Sequence, residues 1–216
     1  MTPRIAGPAT PPGTCSTRSV GGVHSTTAVP AAVRGLVFGT VVIWLVLEVR
    51  QSTNRRPEGI TAPHGGTPVL RLAAIAGAGG AIAAERLVPG AAIPHADVAA
   101  WGGLVLLWCG IALRFWSFRT LGRYFTFTVQ TSRDQPVITA GPYRVIRHPS
   151  YAGVLLAVMG LGFIIANWCS LVVLTVAVAC GLVYRIRVEE RALVEGLGDD
   201  YRTNAATHKR LVPFIW

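Results

Sequence analysis

Apolar positions in this chain run in long blocks, without the strict alternation of a half-buried strand or the narrow stripe of a surface helix. Three blocks stand out: Ala31 to Val49, Val69 to Val88 and Val98 to Phe118. Each extends about 20 residues, the length a helix needs to cross the hydrocarbon core of a bilayer. Their charges, such as Arg34, Glu48 and Arg114, sit near block ends, where long side chains can reach the interface.

A fourth stretch, Tyr151 to Val188, carries no charge before Arg185 and is too long for one crossing. Asn167-Trp168-Cys169-Ser170 interrupts it, with two turn-forming residues and an interfacial tryptophan. The pattern predicts a tight helical hairpin, roughly 151–166 and 170–188. The expected fold is an all-α integral membrane protein of about five transmembrane helices. Residues 1–30, rich in Pro, Thr, Ser, Gly and Ala, read as a disordered tail without a signal-peptide core. Residues 31–118 form helices one to three. Residues 119–216 are expected to form the catalytic region, with the helical hairpin 151–188 and a cytoplasmic C-terminal segment.

Charge orients this arrangement. Of the 20 Lys and Arg residues, sixteen fall on the side that receives the first loop, the third loop and the C-terminal segment. The positive-inside rule then places the N-terminus outside and the C-terminus in the cytoplasm. Composition agrees: 51% of residues are hydrophobic and only 14% charged. The net charge of +10 lies between apolar runs, which suits anionic lipid headgroups and argues against nucleic acid as a partner. Cys15, Cys109, Cys169 and Cys180 form no CxxC pair, so no metal site is expected. Gly77-Ala78-Gly79-Gly80 imitates a nucleotide-binding loop, but inside an apolar run it reads as small residues for close helix packing.

Two segments carry the chemistry. Gly141-Pro142-Tyr143-Arg144-Val145-Ile146-Arg147-His148-Pro149-Ser150-Tyr151-Ala152-Gly153 precedes the hairpin, and Arg185-Ile186-Arg187-Val188-Glu189-Glu190-Arg191 follows it. A hairpin brings its own ends together, so the two segments are expected to be neighbours. Arg147 can clamp a carboxylate, and His148 offers a donor and an acceptor near neutral pH. Pro149 belongs in the first turn of a helix, whose free N–H groups favour an anion. Tyr143 and Tyr151 can stack on an aromatic ring. Helical spacing places Tyr184, Arg187, Glu190 and Arg191 on one face, and Glu190 could hold hydroxyls, an amine or a sulfonium. Arg114 reads as a snorkelling residue or as a contact for a substrate carboxylate, and Arg123-Tyr124-Phe125-Thr126 could line the same cavity.

Together, Gly141-Pro142-Tyr143, Arg147-His148-Pro149-Ser150-Tyr151-Ala152-Gly153, Glu189-Glu190, Gly198-Asp199-Asp200-Tyr201 and Arg210-Leu211-Val212-Pro213 resemble the signature of the isoprenylcysteine carboxyl methyltransferases and related phospholipid methyltransferases. The resemblance covers roughly residues 115–216. It implies S-adenosylmethionine as methyl donor, in a cytoplasmic pocket formed by Tyr143, Arg147, His148, Pro149, Tyr151, Glu189 and Glu190. It implies a lipophilic acceptor, either an isoprenylcysteine-like carboxylate or a lipid amine. Arg187 or Arg191 would contact the acceptor, beside Glu190. The alternative is an NADPH-dependent membrane reductase of the sterol-reductase type, whose chains end in a similar basic-Pro-aromatic pattern.

Overall fold

The computed structural model describes residues 29–52, 60–61, 67–122, 130–131 and 137–211. The expected tail lies almost wholly outside these residues, as do Arg123-Tyr124-Phe125-Thr126 and Val212-Pro213 of the C-terminal motif. The chain is helical: α1 (Ala31–Ser52), α2 (Thr67–Leu87), α3 (Ala96–Leu121), α4 (Pro149–Ile165), α5 (Trp168–Leu197) and α6 (Asp199–Thr207). One short antiparallel pair, β1 (Ile60–Thr61) with β2 (Gln130–Thr131), completes it. Among the described residues four helices, α1, α2, α3 and α5, are long and apolar enough to cross a membrane, while α4 has 17 residues. Helix α5 corrects the expected boundary near Val188. It continues without a break to Leu197, so the charged Glu189-Glu190-Arg191 belong to the same helix as the apolar run.

Two helix pairs build the bundle, and small residues set both. Lipid is as apolar as leucine, so helices associate in it through close packing of backbones. In the α3–α4 pair, a Cβ added at Gly160 would lie 2.5 Å from the Gly103 carbonyl oxygen, and one at Gly153 would lie 2.6 Å from that of Gly110. The two contacts are seven residues apart on each helix, so both fall in one antiparallel register. Carried one turn further, that register brings Arg114 onto Ser150. In the α2–α5 pair, Gly77 faces Ala177 and Leu174, Gly80 faces Val173, and Gly181 faces Ala73 and Leu70. Packing is therefore the role of the Gly-rich run in α2. Ala81, Val158, Leu174, Val178 and Leu182 fill the centre of the bundle.

The connection between α4 and α5 is short. Ala166 takes a left-handed conformation at φ 57° to stop α4, and Asn167 caps α5 by accepting from Ser170 N at 3.0 Å. The Asn167 amide also donates to the Val88 carbonyl at 3.0 Å, and Ser170 Oγ donates to that of Ala81 at 2.7 Å. These bonds tie the α4–α5 turn to the end of α2.

Gly160→Ala is expected to destabilise the protein by about 1–3 kcal/mol, because the added methyl meets backbone that cannot yield. Gly102→Ala, where nothing lies within 4 Å, should change little. Thermal unfolding of both variants in detergent checks this.

Candidate functional site

The site assembles where the chain enters α4. Gly141–Arg144 forms a short 3₁₀ turn, after which Ile146 bridges in parallel to Lys209. Arg147 N donates to the Lys209 carbonyl at 2.8 Å and His148 N to that of Arg210 at 2.9 Å. The segment after α6 is thus pinned by its backbone against the entrance to α4. Pro149 opens α4, where a missing N–H costs no helical bond, and it is fully buried.

Glu190 is the hub. Its Oε1 lies 2.9 Å from Arg147 Nη1 and 3.3 Å from His148 Nε2, and its Oε2 accepts from Arg210 Nε at 2.8 Å. A buried carboxylate persists only with partners of this kind, because desolvation otherwise outweighs its charge. Beside it, Tyr151 Oη donates to Glu189 Oε2 at 2.5 Å and accepts from Arg185 Nε at 2.6 Å. Arg185 in turn donates to Thr67 Oγ1 at the start of α2. The rings of His148 and Tyr151 stack at 5.6 Å and 14°, joining the two groups into one polar layer.

Four buried polar atoms have no hydrogen-bond partner among the described residues: Arg147 Nε and Tyr201 Oη near Glu190, Asn204 Oδ1 one turn along α6, and Thr175 Oγ1 in α5. The Arg147 guanidinium carbon is 6.0 Å from the centre of the Tyr201 ring. Buried polar groups are nearly always satisfied, so these atoms keep bonding capacity for a partner beyond the described residues. A donor, a hydroxyl and an acceptor around a carboxylate and two guanidiniums suit a zwitterion with hydroxyl groups. Burial, with the Glu189 carboxylate and Tyr151 close by, raises the Tyr143 phenol above the ordinary tyrosine range. Burial and the Glu190 carboxylate do the same to Tyr201.

The structure brings Tyr143, Arg147, His148, Pro149, Tyr151, Glu189 and Glu190 together at one end of the bundle. Arg187 and Arg191 stand on the same stretch of α5, on its outward side. Both are exposed, whereas Glu190 is 8% and Arg185 5% accessible. The edge of the α5 buried face falls between Glu190 and Arg187. The row Leu182, Arg185, Ile186, Glu189 and Glu190 turns inward, leaving Tyr184, Arg187 and Arg191 outside. Arg185 and Glu48 went unread as site residues. Arg185 stands one turn before Glu189, and Glu48 is a lone acid in an apolar run; an ionisable residue at such a place is a functional signal by default. Arg114 is buried, paired with Glu48 and bonded to Ser150 Oγ at 2.7 Å.

Residues 103–195 match the family model of the isoprenylcysteine carboxyl methyltransferase (ICMT) family. Protein-S-isoprenylcysteine O-methyltransferase B of Arabidopsis thaliana is 32% identical over 115 residues, covering 52% of this chain and 58% of that protein. Protein-S-isoprenylcysteine O-methyltransferase of Saccharomyces cerevisiae is 32% identical over 101 residues, covering 46% and 42%. The chain thus spans about half the length of the curated relatives it matches. The fold matches a solved structure of the eukaryotic intramembrane Ras methyltransferase ICMT with a TM-score of 0.59 at 20% identity, over 85% of this chain and 67% of that one.

Two outcomes follow from this geometry. Tyr151→Phe removes the hydroxyl shared by Glu189 and Arg185 and should cost about 1–3 kcal/mol, read as a lower midpoint in thermal unfolding. A phenol whose folded pKa is raised keeps its stabilising contribution below the unfolded value of 10.0 and loses it as pH rises toward the folded value. Stability should therefore decline above pH 10, and Tyr143→Phe should blunt that decline in unfolding curves collected across alkaline pH.

Proposed function

We propose, from the match of residues 103–195 to the isoprenylcysteine carboxyl methyltransferase family model, that this chain is a multi-pass membrane enzyme that transfers a methyl group from S-adenosylmethionine to a lipophilic acceptor at the cytoplasmic face. The observation that carries the reading is the Glu190 hub with unpartnered Arg147 Nε and Tyr201 Oη beside it. The names of the matched relatives favour methyl transfer over the reductase alternative.

In this reading α4 is a fifth crossing. Its 17 residues span roughly 25 Å at 1.5 Å each, and it lies packed between α3 and α5. The excess of Lys and Arg on one side of the chain supports a cytoplasmic C-terminus and an N-terminus on the far side.

S-adenosylmethionine supplies a methyl carbon bonded to a positively charged sulfur, already activated for in-line displacement. Arg147 and Arg210 would hold its carboxylate, and Glu189 and Glu190 its cationic groups. Tyr201 and the stacked His148–Tyr151 pair would face its hydroxyls and ring. Arg185 and Thr67 hold Tyr151 in place from the side of α2. A carboxylate acceptor is ionised at neutral pH and needs no base, so positioning and exclusion of water would carry the rate. A lipid amine would first have to give up a proton to Glu, His or Tyr.

Calorimetry on detergent-purified protein tests the proposal with S-adenosylhomocysteine and NADPH side by side. The homocysteine compound is expected to bind, and Glu190→Ala to weaken it by about 2–5 kcal/mol, the cost of truncating one partner of a buried charge pair. Binding of NADPH alone would reverse the assignment and make the pocket a reductase site.

A further inference from the structure

The outward side of α5 takes no part in the polar layer on its inward side. Val173, Val176, Cys180, Tyr184, Arg187 and Arg191 follow one another at helical spacing and form one stripe along the helix. All six are exposed. The stripe is apolar over its first three members, aromatic with a polar tip at Tyr184, and cationic over its last two. Neither guanidinium is paired among the described residues.

Aromatic residues show where this stripe meets the membrane surface. Tyrosine and tryptophan collect at the two interfaces, with an apolar ring on one side and a polar tip on the other. The exposed Trp168 and Tyr184 lie about 24 Å apart along α5. The exposed Trp101 and Trp116 lie about 22 Å apart along α3. Gly103 of α3 meets Gly160 of α4, and Trp168 meets Phe163, so Trp101 and Trp168 share one end of the bundle. Two helices thus give the same apolar thickness and the same level for the other interface, at Trp116 and Tyr184. Arg187 and Arg191 stand about 5 Å and about 10 Å past Tyr184, which is the depth of the phospholipid headgroups.

We propose that the outward face of α5 binds an anionic phospholipid, with Arg187 and Arg191 on its phosphate, Tyr184 at the glycerol level and an acyl chain along Cys180, Val176 and Val173. Charge complementarity and the unbroken apolar stripe carry the assignment together. Residues one turn apart on a helix lie close enough for both guanidiniums to reach one phosphate, and each offers it parallel N–H donors. A soluble anion has no use for the three apolar positions below. A zwitterionic headgroup brings a cation of its own beside the arginines. Glu195, the next exposed residue on this side, lies past Arg191 and away from the apolar stripe, so it leaves the approach from the bilayer open. On α3 a single exposed arginine, Arg119, follows Trp116, so α5 is the stronger site. The same turns of α5 carry Glu189 and Glu190 inward, so a lipid held outside steadies the helix end that bears both acids. The inference is independent of the reaction performed on the inward side.

The test uses the full chain in detergent micelles, with lipid retention read by native mass spectrometry. The probes are phosphatidylglycerol and phosphatidylcholine with the same acyl chains, and soluble glycerol 3-phosphate. Phosphatidylglycerol is expected to bind the more tightly of the two lipids. Arg187→Gln with Arg191→Gln should weaken it about 25-fold, about fivefold for each arginine near a lipid surface, and leave phosphatidylcholine unchanged. Arg144→Gln with Arg202→Gln removes equal charge from exposed positions off this stripe and should bind phosphatidylglycerol as the native chain does. An equal loss in both double variants would mean diffuse attraction and overturn the site. Equal binding of the two lipids by the native chain, or glycerol 3-phosphate binding as tightly as phosphatidylglycerol, overturns the lipid assignment. If the double variant does not fold, Arg191→Gln alone is expected to show the fivefold loss, and unchanged affinity there sinks the proposal.

Discussion

The contact between α3 and α4 is backbone on backbone at Gly103–Gly160 and Gly110–Gly153, and most of the architecture follows from that closeness. Without side chains at these points, the helices meet at a separation that no other residue type permits. The separation fixes their register, and the register decides which polar residues meet at the end. Arg114 reaches Ser150, and α4 then presents Tyr151 toward Arg185 and Glu189 of α5. A bundle joined by large apolar side chains could slide by a residue at small cost, whereas interlocked glycines leave no neighbouring register.

Charge in this setting has to be matched locally. The buried Glu190 has Arg147, His148 and Arg210, and the half-buried Glu189 and Glu48 have Tyr151 and Arg114. In a medium of low dielectric such groups are costly singly and tolerable together. Arg147 Nε and Tyr201 Oη, beside this matched layer, have no hydrogen-bond partner among the described residues.

Much of this was legible in the sequence because two strong signals coincide. Apolar blocks of membrane length located the helices, and the residues flanking the hairpin located the polar layer, since antiparallel helices must return to where they began. The extension of α5 to Leu197 was not legible, because charge marks the edge of a hydrophobic block and says nothing about where helical hydrogen bonding stops. The inward turn of Glu190 and the outward turn of Arg187 were equally hidden. Three residues along a helix give nearly a full turn, and only the position of α4 decides which side of the difference is buried. Glu48 and Arg114 come from helices far apart in the chain, and no local pattern couples them.

The parallel bridge between Ile146 and Lys209 has a consequence for biosynthesis. Residues 209–210 come after every other residue that meets Glu190, so they are the last of its partners to be made. Until then Glu190 lacks Arg210, and the backbone N–H groups of Arg147 and His148 lack their acceptors. The polar cluster around Glu190 is therefore completed only when the segment after α6 folds back onto the entrance to α4, so a chain clipped after α5 would keep the acid and lose one of its guanidinium partners.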